Sequence, residues 1–460
     1  MLNRSFLLLL ILFGAAGVVQ ADSNVVVFPF DNLSNDRTLD WIGEGISELI
    51  IQRLRPEPGV YVFSREERLA AYEMFGIPDT SVISHATALK VGWGSGADQI
   101  VIGNFSANGG KFQMIARLVD LQAETAVAIN LEGQLEDVIP LTMNTSWQLL
   151  KKLVPGTSSP ESDYTARPPI PRSAFESYIR GILNQDLQKR IDLLQTAVRL
   201  HPHYGPAQLQ LGRAYQLQGD FEISNEWLQK ISDSPDLRQA QFMMALNYFY
   251  LDQHTRAITT LQGLPQTYDV LLNLGAVFSR SGDPASAIAV WKRAIGIDPL
   301  GSDAFFNIGY VSFVNGDLET ASKNLNESLR LRGRDSEALL LLGRTYEQQS
   351  RFEESQKLIS QAIRLSQRVQ RWLSQPPTRI ERFVTTTTFR SHDEIWNDKR
   401  LVRRGRRQDL NGWLEVIQGD IDSYLFGDAL RELHDIMRIY PDSSEARSLL
   451  NEVDRQQSLR

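Results

Sequence analysis

The feature that most constrains the fold of this chain is a pattern that recurs at a constant interval between residues 267 and 365. Three copies come into register when Gly275, Gly309 and Gly343 are aligned. In each copy two apolar residues precede the glycine at the same spacing, and a turn follows it, which is Gly-Asp in the first two copies. Because a single helix pair cannot bury its apolar face alone, three units in phase predict a stacked array of helix pairs.

After each glycine, small and large residues occupy matching positions in the three copies. The small ones are Ala287, Ala321 and Ser355, then Ala294, Ser328 and Ala362; the large ones are Trp291, Leu325 and Ile359. The small residues let the two helices of a pair approach closely, and the large ones are expected to fill the space between successive pairs. This spacing resembles the tetratricopeptide repeat (TPR), whose pattern is W-x2-L-G-x2-Y, then A-x3-F, then P over about 34 residues. The resemblance implies an all-α superhelix, or α-solenoid.

Less regular helix pairs are predicted before these copies, from residue 173 onward. Leu211-Gly212 and Ala245 mark the glycine position in two of them, and Pro202 closes the first. Together with the regular copies they make about six pairs over residues 173–365. The array is therefore expected to be long enough to curve into a superhelix with a concave side.

The concave side of such an array is lined by one face of the first helix of each pair. Counting from the glycine positions, the middle of that face is apolar and aromatic. The predicted protein-binding groove consists of Phe242, Leu246, Phe249, Leu272, Phe306, Tyr310, Phe313 and Arg344. Such a stripe favours binding of an apolar or extended peptide. The alternative is that several of these side chains simply pack between adjacent helices.

Residues 1–21 have the form of a secretory signal peptide. Arg4 gives a positive start, residues 6–19 are apolar, and Val19-Gln20-Ala21 fits a cleavage site. The alternative is a short membrane anchor, but an apolar run confined to residues 6–19 is short for a membrane span. We therefore expect an exported protein that is soluble after cleavage.

The composition narrows the possible functions. The 460 residues contain no cysteine, so an exported chain of this kind must be held by its core without disulfides. The same absence excludes a thiol nucleophile and a cysteine-based metal site. The formal net charge of −7 disfavours a general role in binding nucleic acid. The expected partners are proteins or peptides.

Residues 22–154 are predicted to form an α+β domain. An apolar run at residues 25–30 is typical of a buried strand, and Asn108-Gly109-Gly110 is typical of a hairpin turn. Strands are predicted at 25–30, 59–63, 99–105, 112–119 and 125–131, and helices at 39–54, 65–74, 86–92 and 135–153. The glycine-rich residues 92–96 are predicted to connect a helix to a strand rather than to cradle a phosphate, because the lysine of a P-loop is missing.

Three stretches of this domain resemble the amino-terminal domain of TolB-type proteins. They are VVFPFDNLS at residues 26–34, GADQIVIGNF at 96–105 and IARLVD at 115–120. The resemblance implies an envelope-associated protein-binding module, often fused to TPR arrays, and it implies no catalytic residues. It also implies a bacterial origin and a place in the periplasm or at an envelope surface.

An enzymatic alternative rests on the carboxylates of this domain at Asp31, Asp36, Asp40, Glu44 and Glu48. The last three are spaced by four and share one helical face. Acids in the first turns of a helix interact favourably with its dipole and are expected to be solvated. The glycine-hinged loop of a calcium site is missing. We therefore predict no catalytic, cofactor-binding or metal-binding residues and no cofactor; an accessory or cryptic hydrolase is the alternative.

Composition also divides the rest of the chain. Residues 155–172 are rich in proline and serine and are predicted to be an extended linker. Residues 366–409 are predicted to be an irregular basic insertion, and residues 410–460 a further TPR-like helix pair with a capping helix. The basic run offers Lys399, Arg400, Arg403, Arg404, Arg406 and Arg407 for contact with an anionic envelope surface. A solvated loop is the alternative.

The sequence thus predicts a two-part fold: an α+β amino-terminal domain followed by an all-α TPR superhelix. The predicted function is that of a non-enzymatic scaffold, which binds protein or peptide partners in the concave groove at the periplasm or envelope.

Overall fold

The computed structural model of the protein describes residues 23–79, 81–165, 170–232, 235–373, 379–387, 410–439 and 443–458. The predicted signal peptide at 1–21 and the basic run at 399–407 lie outside these ranges. Within the described ranges, none of the helices combines the length and the apolar character that a membrane crossing requires.

Six strands of the first domain form one mixed sheet. They are β1 (Ser23–Val27), β2 (Asp31–Asn32), β3 (Val60–Val62), β4 (Gln99–Asn108), β5 (Lys111–Asp120) and β6 (Thr125–Gln134). The order is β3-β1-β4-β5-β6, with β2 paired to β4. β1 runs parallel to β3 and β4, whereas β4, β5 and β6 are antiparallel neighbours. The mixed sheet with its helices confirms the α+β class of this domain.

Helices cover both faces of the sheet, because successive residues of a strand point to opposite sides. They are α1 (Trp41–Leu54), α2 (Arg65–Met74), α3 (His85–Ser95) and α4 (Val138–Leu153). Val25 and Val27 of β1 share a hydrophobic core with α1 and α4. Val26 and Phe28 share another with α2 and α3. The buried strand β1 therefore lies at the centre of three layers.

The glycine-rich residues 92–96 end helix α3 instead of forming the connector that the sequence predicted. Gly92 lies in the helix, where an added Cβ would be 2.5 Å from the Ile100 side chain. Gly96 ends the helix with a φ of +89°, in the left-handed region that glycine adopts readily. These glycines therefore allow the last turn of α3 to pack directly against β4.

Beyond the first domain, most of the described residues are in helices. A short helix, α5 (Glu161–Thr165), precedes six helix pairs in the described residues. In each pair the first helix is called helix A and the second helix B. The pairs are α6 (Arg172–Leu183) with α7 (Leu187–Leu200), α8 (Gly205–Gln218) with α9 (Phe221–Leu228), α10 (Leu237–Tyr250) with α11 (His254–Gln262), α12 (Tyr268–Arg280) with α13 (Pro284–Ile297), α14 (Ser302–Val314) with α15 (Leu318–Leu331), and α16 (Ser336–Gln348) with α17 (Phe352–Leu365). This is the predicted all-α solenoid.

The aligned glycines are the points where helix A meets helix B of the same pair. An added Cβ would lie 2.3 Å from Trp291 at Gly275, 2.6 Å from Leu325 at Gly309 and 2.7 Å from Ile359 at Gly343. The large residues therefore pack on the glycine of their own pair, whereas the sequence analysis placed them between successive pairs. Trp291 is fully buried, and its indole donates a hydrogen bond to the Leu272 carbonyl at 3.0 Å.

The first domain and the first two helix pairs share one hydrophobic core. Residues 155–172, predicted to be an extended linker, contain α5, and Tyr164 of this helix is buried with its ring 5.4 Å from that of Trp147. Helix α6 then packs against α1. Apolar residues of α6, α7 and α8 belong to the same core as α1 and α4. The first domain and the start of the array are therefore packed together through α5 and α6.

The carboxy-terminal part begins with α18 (Gln367–Trp372), so the start of the region predicted to be irregular is helical. The helices α19 (Leu410–Asp422), α20 (Phe426–Ile439) and α21 (Ser444–Ser458) form a unit with its own apolar cluster. Helix α20 packs against α15. Arg431 forms an ion pair with Asp298, and the Gln457 amide donates to the Arg330 carbonyl at 2.6 Å. This unit therefore packs beside the fifth pair.

Candidate protein-binding groove

A short segment of the chain itself lies along the face of helices A that the sequence predicts to be concave. This segment, residues 379–387, is called the strap, and it is neither helix nor strand. It crosses the pairs in reverse order, since Val384 is bonded to α12 and Arg382 to α14. The Arg382 side chain then reaches Asp335, which caps α16. The predicted groove is therefore filled by an extended peptide from the same chain.

Two buried asparagines hold the main chain of the strap. The Asn273 side chain donates to the Val384 carbonyl at 2.8 Å and accepts from the Val384 amide at 2.8 Å. The Asn307 side chain makes the same two bonds with Arg382, at 2.8 Å and 2.7 Å. A carboxamide carries one acceptor and two donors, so it can satisfy both main-chain groups of one residue whatever that residue's side chain is.

The repeat determines where these asparagines lie. Each precedes the aligned glycine of its helix A by two residues, so the two are separated by one full repeat of the chain. The strap residues that they hold are two apart. Because alternate residues of an extended chain point in the same direction, one repeat of the array matches two residues of the strap.

Glu381 occupies a site that neutralises an acid. The Ser279 hydroxyl donates to Glu381 Oε1 at 2.7 Å, and Arg280 Nε lies 3.7 Å from Glu381 Oε2. The Arg280 guanidinium also lies over the Phe249 ring, 4.4 Å from its centroid. The Glu381 side chain is only 5% exposed, so these two contacts take the place of water around it.

Arg382 occupies a site that neutralises a cation. Its guanidinium lies 3.0 Å from Asp303 and 2.6 Å from Asp335, and 3.6 Å from the centroid of the Phe306 ring. Glu337 lies 3.6 Å away. Burial would lower the pKa of the Arg382 guanidinium, but the charges of Asp335 and Asp303 outweigh burial and raise this pKa. Arg382 therefore stays charged in the groove.

Apolar contacts complete the site on either side of these charges. The Phe383 ring meets those of Phe249 and Tyr250 edge-on, with centroids 5.4 Å and 6.1 Å apart. Ile380, Phe383 and Val384 are partly buried against the apolar core of the array. Burial raises the pKa of the Tyr310 hydroxyl to about 12, although a hydrogen bond with the Ile380 backbone opposes the increase. Tyr310 is thus neutral and available to the strap backbone.

The eight side chains of the predicted groove do not form an open surface. Phe242, Leu246, Phe249, Leu272, Phe306 and Tyr310 are buried, and Phe313 and Arg344 are half-buried. Phe249, Phe306 and Tyr310 contact the strap, whereas Phe242, Leu246 and Leu272 belong to the core between the helices. Arg344 lies at one end, where it donates to the Leu373 carbonyl at 3.3 Å. Part of the stripe therefore packs between helices, which is the alternative that the sequence left open.

Several residues that hold the strap were missed by the sequence analysis. They are Asn273, Asn307, Asp303 and Asp335. One signal was present, because asparagine occupies the same position of two successive repeats, two residues before the glycine. A buried polar side chain needs a hydrogen-bond partner, so one that recurs at the period of the array predicts partners that recur at the same period.

The first domain contacts the same face of helix A near the start of the array. Gln210 lies two residues before Gly212, and its amide donates to Glu66 of α2 at 2.9 Å. Arg213 pairs with the same carboxylate. Burial would raise the pKa of Glu66, but the charge of Arg213 and the bond from Gln210 lower it to about 2. Glu66 is therefore ionised at this contact.

Two of the five candidate carboxylates are not solvated as predicted. Glu44 is buried between Arg65, at 3.0 Å, and Arg68. Glu48 is buried because α6 covers it, and it accepts a hydrogen bond from Tyr178 at 2.7 Å. Burial raises the pKa of Glu48; it would also raise that of Glu44, but the charges of Arg68 and Arg65 lower it. Among the described residues, no group of three or more histidine, aspartate or glutamate side chains could hold a metal ion.

Family models and known proteins resemble this part of the chain. A tetratricopeptide-repeat model matches residues 272–322 and 309–368, and a second one matches 239–268. The TPR repeat-containing protein YpiA of Bacillus subtilis (strain 168) is 25% identical over 184 residues, which cover 38% of this chain and 43% of YpiA. The chain thus spans less than half the length of this relative.

Two solved structures are similar to parts of the chain. MamA 41-end from Desulfovibrio magneticus RS-1 has 15% identity and a TM-score of 0.33, covering 38% of this chain and 97% of that chain. YrrB, a TPR protein with an unusual peptide-binding site, has 16% identity and a TM-score of 0.26, covering 45% and 90%. The TolB-type resemblance of the first domain stays a prediction. The helix pairs of residues 239–368 are, by their family models, tetratricopeptide repeats.

Proposed function

We propose that the protein is a non-enzymatic scaffold that assembles other proteins by holding extended segments of them in the groove formed by α12, α14 and α16. TPR repeats support a role in protein–protein interaction in general. The observation that carries the finer proposal is the pair of bidentate bonds from Asn273 and Asn307 to a peptide main chain. Backbone bonds of this kind give affinity for an extended chain, and neighbouring side-chain sites give specificity.

The buried charges of the first domain favour this function over a hydrolytic one. Arg65 and Arg68 engage Glu44 Oε1, and Tyr178 donates to Glu48 Oε1, whereas Glu48 Oε2 is buried without a hydrogen-bond partner among the described residues. A general acid or base must reach its substrate within hydrogen-bonding distance. Carboxylates covered by α2 and α6 are not placed to do so.

Affinity capture from envelope extract tests the proposal. We expect Asn273→Ala/Asn307→Ala to lose specific partners that the wild-type protein captures. Asn324→Ala is the matched control, because the Asn324 amide donates to the Thr320 carbonyl within α15, away from the groove. Equal thermal unfolding of the two variants would show that the array survives. An unchanged set of partners with the groove variant would contradict the proposal.

We further propose that the protein works outside the cytoplasm, in the periplasm or at the envelope. The support is the signal-peptide pattern of residues 1–21. Amino-terminal sequencing of protein recovered from producing cells tests it. We expect the mature chain to begin at Asp22; a chain that keeps residues 1–21 and stays in the cytoplasm would contradict export.

A further inference from the structure

We propose that the strap is an internal ligand of the groove, so that a partner binds by displacing residues 380–384. The partner that fits is an extended peptide with an acidic residue, an arginine and an aromatic residue in succession. This inference deepens the proposed function and rests on it. The strap supplies the pattern with Glu381, Arg382 and Phe383.

The charges of the groove fix the order of that pattern. Ser279 and Arg280 receive the acid, and Asp303 and Asp335 receive the cation of the next residue. Exchanging the two would place a carboxylate against two carboxylates and a guanidinium against Arg280. Like charges brought together in this way are strongly disfavoured, so the groove discriminates by repulsion as well as by attraction.

The strap is bound as a ligand is bound, and not as a part of the core. Thr385 and Thr386 are exposed, Glu381 and Thr387 are buried, and Ile380, Phe383 and Val384 are partly buried against the array. The remaining contacts are hydrogen bonds, ion pairs and the contact of Arg382 with the Phe306 ring, which a second peptide of the same pattern can replace. A segment held in this way can leave without unfolding the helices beneath it.

The groove is nevertheless poorly suited to being empty. Without Arg382, the carboxylates of Asp303, Asp335 and Glu337 would lie together with less opposing charge. Asn273 and Asn307, both nearly fully buried, would lose the backbone groups that they bind. Unpaired buried polar groups and charges are costly. Exchange of one peptide for another is therefore favoured over simple opening.

A partner must compete with a tethered segment. Tethering gives a segment an effective concentration on the order of millimolar, so the strap weakens the apparent affinity for a partner that makes only the same contacts. A longer partner can gain more, because an open cavity of ≈ 420 Å³ borders the strap at Arg332 and Arg368. The strap thus selects for partners whose contacts extend beyond those of residues 380–384.

A peptide-binding experiment on the full chain tests the inference. The probe is a fluorescein-labelled peptide of residues 379–387, RIERFVTTT, and binding is followed by fluorescence anisotropy. We expect the strap variant Glu381→Ala/Arg382→Ala/Phe383→Ala to bind the probe at least about tenfold more tightly than the wild-type protein does. Thr385→Ala/Thr386→Ala, changed only at exposed positions of the strap, should bind as the wild type does.

Two further probes establish specificity. Adding Asn273→Ala/Asn307→Ala to the strap variant should abolish binding of RIERFVTTT. A peptide with the charges exchanged, RIREFVTTT, should bind the strap variant at least about tenfold more weakly than the native order does. Equal affinity of wild type and strap variant, or no preference between the two peptides, would overturn the inference.

A measurement on the unmodified protein guards against misfolding of the variants. Unlabelled RIERFVTTT, added above the effective concentration of the tether, on the order of millimolar, should accelerate hydrogen exchange at the Arg382 and Val384 amides of the wild-type chain, and RIREFVTTT should not. Unchanged exchange would overturn displacement. The envelope capture experiment tests the proposed function separately. If Asn273→Ala/Asn307→Ala loses partners, the scaffold function is supported. If the strap variant then captures no additional partners, the proposal that the strap is an internal ligand is overturned.

Discussion

Two regions of the array of helix pairs use the same face of helix A to hold different parts of the chain. Near the start, Gln210 contacts Glu66 of the first domain. Further along, Asn273 and Asn307 contact the strap from the equivalent position, two residues before the aligned glycine. The position within the repeat therefore determines the direction of an amide side chain. It does not determine what that side chain holds.

The two contacts differ in the apolar surface that accompanies them. At the start of the array, Phe175, Tyr178 and Ile179 share one continuous core with Trp41 and other apolar residues of α1 and α4. The strap contributes only a few partly buried apolar side chains beside its polar contacts. Because burial of apolar surface is the main favourable term in folding, the first contact is expected to be permanent and the second exchangeable.

The largest expected effect on stability is at the permanent contact, which joins the first domain to α6. Tyr178→Ala removes a fully buried ring and leaves Glu48 without the hydroxyl that donates to it at 2.7 Å. We expect the free energy of unfolding to fall by about 3–5 kcal/mol, as for other buried aromatic residues replaced by alanine. Urea denaturation checks this. Tyr178→Phe keeps the ring and should lose far less; an equal loss would place the effect in the hydrogen bond and not in the core.

Substitution in the strap is expected to change global stability less, but to increase the exposure of the strap strongly. Arg382→Ala removes the cation between Asp303 and Asp335, so the strap should leave the groove and let these acids hydrate. We expect cleavage by chymotrypsin after Phe383 to accelerate at least about tenfold, while the thermal midpoint falls little. Arg455→Ala, which removes an exposed surface ion pair with Glu452, is the control. Global unfolding of Arg382→Ala would show that the strap is part of the core.

Acid should weaken the permanent contact through Glu66. Its pKa of about 2 in the folded protein lies below the ordinary value of 4.5, so the folded state binds this proton less tightly than the unfolded chain does. The stabilisation is therefore full above pH 4.5 and is lost as the pH falls toward 2. Because the Glu66 side chain is 41% exposed, we expect no more than about 1 kcal/mol. Denaturation at several pH values should show this dependence in the wild type, not in Glu66→Gln; the exposed Glu73→Gln is the control.

The smallest expected effect is an increase in stability, whereas the preceding ones are decreases. Burial raises the pKa of Glu48, so this group favours the folded state at low pH, and that contribution is lost as the pH rises through its folded pKa. Glu48→Gln removes the buried charge and should raise stability at pH 7 by about 0.5 kcal/mol, since the new amide must itself find a partner. The gain should disappear in acid. A loss of stability at pH 7 would contradict a charge penalty at this site.

The sequence predicted the elements better than it predicted their contacts. The period of the repeat placed the helix pairs, although the sequence analysis put Trp291, Leu325 and Ile359 between pairs and they lie against the glycine of their own pair. Alternation along the strands placed the mixed sheet. These features are local or periodic, so a single sequence reveals them.

The contacts between distant parts were not predictable in the same way. Nothing local to residues 379–387 indicates that they lie on α12 and α14, since the bonded residues are 111 and 75 positions apart. Similarly, Glu44 and Glu48 have the spacing of a solvated helix face, and only the packing of α6 and α2 buries them. The repeated asparagines were the one visible sign of the site, and they do not identify the peptide that they hold.

Hydrogen exchange on the full-length wild-type protein tests the central claim most directly. If the strap is an exchangeable ligand and the first domain a permanent part of the fold, the Arg382 and Val384 amides should exchange by local opening, much faster than the Ile179 amide at the domain contact. Added RIERFVTTT should accelerate the strap amides alone. Strap amides that exchange only as slowly as Ile179, with and without peptide, would contradict the account.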